Sequence, residues 1–135
     1  MRPDSTGFAF GAGLQLGLLQ FACVLAAESA LSSMFTTLGA VLSAWLVGSL
    51  VGLWAPVPPA AWLAAACASH VALHLALGRW TPPLALFLAV SAAGGGWAGA
   101  YFQRALGAPV PSSRILSAEN TGFALGGLGA FVGFV

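Results

Sequence analysis

The sequence predicts an all-α fold, a polytopic integral-membrane helical bundle of about five transmembrane helices. Three observations lead there. Hydrophobic residues make up 59% of the 135-residue chain and charged residues 5%, against roughly 25% charged in a soluble domain. The apolar residues gather into runs of spanning length, and a helix needs about 20 mainly apolar residues to cross a bilayer. Proline-rich breaks separate most of these runs.

The first predicted span is "GFAFGAGLQLGLLQFACVLAA", residues 7–27. A single arginine precedes it and no small-residue cleavage site leads from it into a soluble domain, so it reads as a retained span and not as a signal peptide. The second is "LSSMFTTLGAVLSAWLVGSLVGLW", residues 31–54. The two together are far too long for one crossing, so a tight turn is expected in "AAESAL", 26–31, around Glu28 and Ser29. The third span, 59–77, opens after "APVPPA", where Pro58 and Pro59 suit a loop and a helix start. The fourth, 82–102, follows "GRWTPP". The fifth, 116–135, follows the polar connection "RALGAPVPSSR". No linker divides the chain and no period marks a repeat array, so residues 1–135 are expected to form one domain.

The chain carries four arginines, three carboxylates and no lysine. Five spans place Arg2, Arg104 and Arg114 on one side and Arg79 on the other. The positive-inside rule then predicts a cytoplasmic N-terminus and an outer C-terminus, as in a bacterial inner membrane. The net charge of +1 gives no basis for nucleic-acid binding. Trp54, Trp62 and Trp80 fall near span ends, as an aromatic belt requires, whereas Trp45 and Trp97 are expected to pack between helices. Cys23 and Cys67 lie in apolar runs and read as small buried hydrophobes.

Helices in lipid associate by close packing, and small residues at four-residue spacing permit it. Span one carries Gly7 and Gly11, then Gly13 and Gly17; span two carries Ala44, Gly48 and Gly52; span four carries Gly95 and Gly99, with Ala92, Gly96 and Ala100 alongside. In span five, Gly122, Gly126, Gly129 and Gly133 recur at i, i+4, i+7 and i+11, on one helix face. Two readings stand for these faces: packing within the chain, or docking of another subunit.

Intramembrane polar groups are functional candidates by default. "ASHVALHLALGRW" sets His70 and His74 one turn apart on one face of span three. Neutral imidazoles there suit haem iron, a (bacterio)chlorophyll magnesium or a quinone, and Ala66 leaves room for a macrocycle. The alternative is an imidazole bonded to a neighbouring side chain or carbonyl. Both histidines share a helix, so they cannot bracket one haem within the chain. No spacing suggests zinc. Glu119 is expected in the first turn of span five, where a carboxylate suits the helix dipole, or paired with Arg104 or Arg114. No nucleophile–base set, phosphate loop or dinucleotide motif is present, so no enzymatic activity is expected.

The 7–54 segment, with the small-residue run Val47–Trp54, the segment "GAYFQRAL" (99–106) and "SSRILSAENTGFALGGLGAFVGFV" (112–135) together resemble the membrane-spanning region of the spermidine-synthase-like (polyamine aminopropyltransferase-like) integral-membrane proteins. The resemblance implies a membrane-bundle architecture. In that family the glycine-ladder helix leads on into further spans or a nucleotide-fold domain. The catalytic aspartates and adenosyl-ligand loop of that domain have no counterpart here, so no catalytic residue carries over.

The expected function is a small non-catalytic membrane subunit, with lipids and other integral-membrane subunits as partners, in an assembly such as an electron-transfer or light-harvesting complex. A haem-, chlorophyll- or quinone-binding protein using His70 and His74 is the first alternative. A small oligomeric transporter or channel using Gln15, Gln20 or the histidines is the second.

Overall fold

The computed structural model describes residues 5–31, 35–105 and 111–134. Arg2, the Ser32–Met34 start of the second predicted span, residues 106–110 and Val135 lie outside them. Five helices follow in order: α1 (Thr6–Leu31), α2 (Phe35–Trp54), α3 (Pro59–Leu77), α4 (Leu84–Ala105) and α5 (Ser112–Phe134).

Each start has a local cause. Ser5 caps α1, its hydroxyl accepting from Phe8 N–H at 3.2 Å. Prolines precede three of the others, and their carbonyls accept the first orphan amides. Pro58 O takes Ala61 N–H at 2.9 Å, Pro83 O takes Leu86 N–H at 2.9 Å, and Pro111 O takes Arg114 N–H at 3.0 Å. The third span thus keeps its expected limits, 59–77, while the fifth begins at Ser112, four residues before the expected 116.

The turn expected at 26–31 is not there. Helix α1 runs unbroken to Leu31. Ala26 and Ala27 are buried in the core, and Ser29 Oγ returns its proton to Ala26 O at 2.9 Å, so neither it nor exposed Glu28 interrupts the helical ladder.

Two glycine seams fix the arrangement. In the first, α2 lies against α4. A Cβ placed on Gly48 would sit 2.8 Å from Ala92 C and Cα, one on Gly52 would sit 2.8 Å from Gly96 C, and ones on Gly95 and Gly99 would sit 2.9 Å and 2.8 Å from Ser49 N and Leu53 N. In the second, α1 lies against α5. Added carbons on Gly13 and Gly17 would meet the backbones of Glu119 and Phe123, and those on Gly122 and Gly126 would meet Leu14 N at 2.8 Å and Leu18 N at 2.9 Å. Residue numbers rise together on both sides of each seam, so both pairs are parallel. In all eight cases the nearest atom is a carbonyl oxygen of the opposite helix. This is the geometry of Cα–H···O contacts, each worth about 0.5–1 kcal/mol net.

Helix α4 also contacts α3 and α1, so α1 and α4 form the centre, α5 and α2 flank them, and α3 covers one side. The core is two stacked layers. One gathers Leu16, Leu19, Trp45, Ala66, Trp97 and Tyr101. The other gathers Cys23, Val41, Leu73, Phe87 and Val90. Helices α1–α4 are each long and apolar enough to cross a membrane. The 23-residue α5 has a more polar first half, yet it follows α1 in parallel through the seam. The chain is an all-α, polytopic helical membrane bundle.

The seams make a prediction. Gly126→Val drives a branched side chain into the α1 backbone and should destabilise the protein by about 1–3 kcal/mol. Gly133→Ala adds a methyl that meets nothing within 4 Å and should change stability by less than about 0.5 kcal/mol. Thermal unfolding in detergent, followed by near-ultraviolet circular dichroism, separates the two; equal melting temperatures would exclude a tight seam.

Candidate functional site

His70 and His74 occupy one face of α3, as their spacing requires, but in different surroundings. His70 is 6% exposed. Its Nε2 lies 2.7 Å from Leu19 O of α1. A carbonyl can only accept, so Nε2 carries the proton. Nδ1 is buried and has no partner among the described residues. His74 is exposed, its ring centroid 6.4 Å from that of His70. It borders an open cavity of about 760 Å³ together with Ser29, Arg79 and Trp80.

This arrangement makes His70 a strut between α3 and α1, set where the two core layers meet. A macrocycle ligated at Nε2 would displace this bond. The Nε2 atom is committed to Leu19, and Ala66, the residue that would leave room for the ring, is fully buried in helix packing. Among the described residues, no group of three His, Cys, Asp or Glu side chains could hold a metal ion.

The remaining buried polar groups tie helices together. Ser91 Oγ donates to Val41 O at 2.8 Å, joining α4 to α2. Gln15 Nε2 donates to Cys67 Sγ at 3.3 Å, joining α1 to α3. Cys23 Sγ lies 3.7 Å from Phe87 O, joining α1 to α4. Both cysteines are free thiols.

Glu119 differs from expectation. Because α5 begins at Ser112, the carboxylate stands beyond the first turn, which contains no acidic residue. It is 5% exposed, because Gly13 brings α1 against its backbone. Arg104 and Arg114 remain exposed, and no ion pair joins them to Glu119 among the described residues.

The glycines divide into two sets. Gly48, Gly52, Gly95, Gly99, Gly122 and Gly126 face helices of the same chain. Gly129 would meet only the tip of Leu18, and Gly133 faces open space. Trp54 and Trp80 are exposed, 84% and 60%. Trp45 and Trp97 are buried. Trp62 turns inward, its ring lying over Gly96.

A feature not singled out from the sequence lies between the starts of α1 and α3 and the end of α4. It is a cavity of about 540 Å³ whose lining is mainly apolar and includes Gly11, Gln15, Leu63, Trp97, Tyr101 and Arg104. The signal was present: Trp97, Tyr101 and Arg104 stand at i, i+4 and i+7, one stripe of α4. Comparison with protein families, with curated proteins and with solved structures finds no match for this chain.

The strut reading is testable. His70→Ala leaves a gap and removes one interhelical bond, and should lower stability by about 1–2 kcal/mol, while His74→Ala should be near neutral. Chemical or thermal unfolding in detergent measures both. An equal loss for the two variants would refute it.

Proposed function

We propose that the protein is a small, non-catalytic integral-membrane subunit that seats against other membrane subunits through the outer face of α5. The observation that carries this reading is the character of that face. Ser117, Asn120, Thr121 and Ala124 are exposed on it, next to exposed Leu125 and Leu128. Thr121 satisfies itself on Ser117 O at 2.8 Å. Asn120 offers an amide to whatever covers it. A polar side chain facing hydrocarbon is unfavourable, and small and polar residues together are the usual surface for helix association in lipid. The resemblance to the membrane region of spermidine-synthase-like proteins agrees with a bundle of this kind and adds no catalytic role. An electron-transfer or light-harvesting assembly is the class of host this reading favours.

A photo-crosslinking residue at Leu128 should give a discrete adduct with another integral-membrane protein in native membranes, and one at Leu46 on the outer face of α2 should give mainly lipid adducts. A lone monomer in native mass spectrometry, with only lipid adducts from both positions, would remove the proposal.

The orientation belongs to the same reading. Arg104 and Arg114 stand at the end of the bundle where α1 begins, and Arg79 at the opposite end. With the positive-inside rule this favours a bacterial inner membrane, the N-terminus in the cytoplasm and the C-terminus outside. A cysteine at exposed Thr81 should react with an impermeant maleimide in spheroplasts of intact cells, and one at exposed Ser113 only after lysis. The reverse pattern would invert the topology.

A further inference from the structure

We infer that the cavity between α1, α3 and α4 is a binding site for one anionic membrane phospholipid, with its phosphate at Arg104 and an acyl chain in the apolar cleft. The inference is independent of the subunit role.

Three observations select this ligand. The cavity, about 540 Å³, lies within the roughly 300–1,000 Å³ of small-molecule sites, which are mostly apolar with a few placed polar groups. Its walls are aliphatic and aromatic: Phe8, Phe10, Ala12 and Leu63 among them. That lining suits a hydrocarbon chain.

The second observation is two donors without acceptors. Trp97 is 4% exposed and Tyr101 3% exposed. Both side chains line the cavity. The Trp97 indole N–H and the Tyr101 hydroxyl are buried with no hydrogen-bond partner among the described residues. A buried unsatisfied donor costs about 1–3 kcal/mol. The neighbouring aromatic rings, Phe8 at 6.2 Å from Tyr101 and Phe102 at 5.3 Å, offer no oxygen. An ester carbonyl in the adjoining cavity is an acceptor of the kind both donors lack.

The third observation is order along α4. Arg104 is exposed at the rim, Tyr101 lies about 4.5 Å deeper and Trp97 about 10.5 Å deeper at the helical rise per residue. Cation, then hydroxyl, then aromatic and aliphatic wall repeats the order phosphate, ester carbonyl, acyl chain. Among the described residues, no carboxylate lines the cavity. Basic pockets between membrane helices bind anionic headgroups by this chemistry. A quinone would use the same donors but would leave Arg104 without a counter-charge.

Gly11 allows a clean test. It lines the cavity, and a Cβ there meets nothing within 4 Å. Gly11→Leu therefore fills the cleft without touching a seam. The intact protein, delipidated in detergent, is offered equimolar phosphatidylglycerol and phosphatidylcholine and weighed by native mass spectrometry. The wild type should retain one lipid, with phosphatidylglycerol favoured roughly fivefold, the value of one arginine near an anionic headgroup. Gly11→Leu should lose retention at an unchanged melting temperature. Arg104→Gln, altered only at an exposed side chain, should retain one lipid with no headgroup preference. Equal retention of the two lipids by the wild type, unchanged phosphatidylglycerol binding by Arg104→Gln, or a quinone co-purifying in place of phospholipid would each overturn the inference.

Discussion

The contact between glycine backbone and carbonyl oxygen across two parallel helix pairs is the constraint on which the rest of the structure depends. Lipid offers no hydrophobic reason for two apolar helices to meet, since hydrocarbon tails are as apolar as leucine. Shape and weak polar contacts must do it instead. Gly48, Gly52, Gly95 and Gly99 bring α2 and α4 together at backbone distance; Gly13, Gly17, Gly122 and Gly126 do the same for α1 and α5. Every glycine weakens its own helix by up to about 1 kcal/mol relative to alanine. Eight carbonyl-facing contacts, with the dispersion gained at such short range, offset that loss.

The seams also decide what the polar residues can do. With α1 bound to α5 and α4 to α2, the two pairs meet along the α1–α4 line, and α3 is added by side chains. Its buried residues are Ala66, His70 and Leu73, at i, i+4 and i+7. His70 reaches past the packing surface to the carbonyl of Leu19, and Gln15 reaches back to Cys67. These bonds fix the height of α3 on a surface that apolar packing alone would leave free to slide. An intramembrane histidine can thus be explained by register, without a metal.

Much of this was legible in the sequence. Composition and run length gave the membrane bundle, because a chain with so few charges has no other solvent to fold in. Proline pairs marked α3, because proline both breaks the preceding segment and pre-forms a helix start. The continuation of α1 through Glu28 and Ser29 was not legible. A lone charged residue near a membrane surface stops a hydropathy run without stopping a helix, whose ladder Ala26 and Ala27 keep by packing in the core. Glu119 was misplaced for a related reason: the apolar run begins at Leu116, but the helix begins where Pro111 offers its carbonyl. Spacing grouped Gly122 with Gly133 on one face, yet only the tertiary crossing separates Gly122 and Gly126, pressed on α1, from Gly133, facing open space. Periodicity gives the face of a helix and not how far along it the neighbour extends.

The same physics locates the cavity. A seam made by glycine leaves no volume between the two backbones it joins, so the α1–α3–α4 cleft opens away from both seams. Helix α3 is the one packed without a glycine seam. Where it starts, at Pro59, its approach to α1 and α4 is set by larger side chains, Leu63 on one side and Trp62 over Gly96 on the other. Trp62 takes the room that Gly96 provides and leaves the room beside Gly7 and Gly11 unfilled, since those two glycines meet no other helix. The glycines of α1 therefore act in two ways along one helix. Gly13 and Gly17 close it onto α5, and Gly7 and Gly11, a few residues earlier, hold a cleft open beside Tyr101 and Arg104. A single residue type produces both a backbone-to-backbone contact and an open apolar cleft, and which one results depends on whether a second helix is brought within backbone distance.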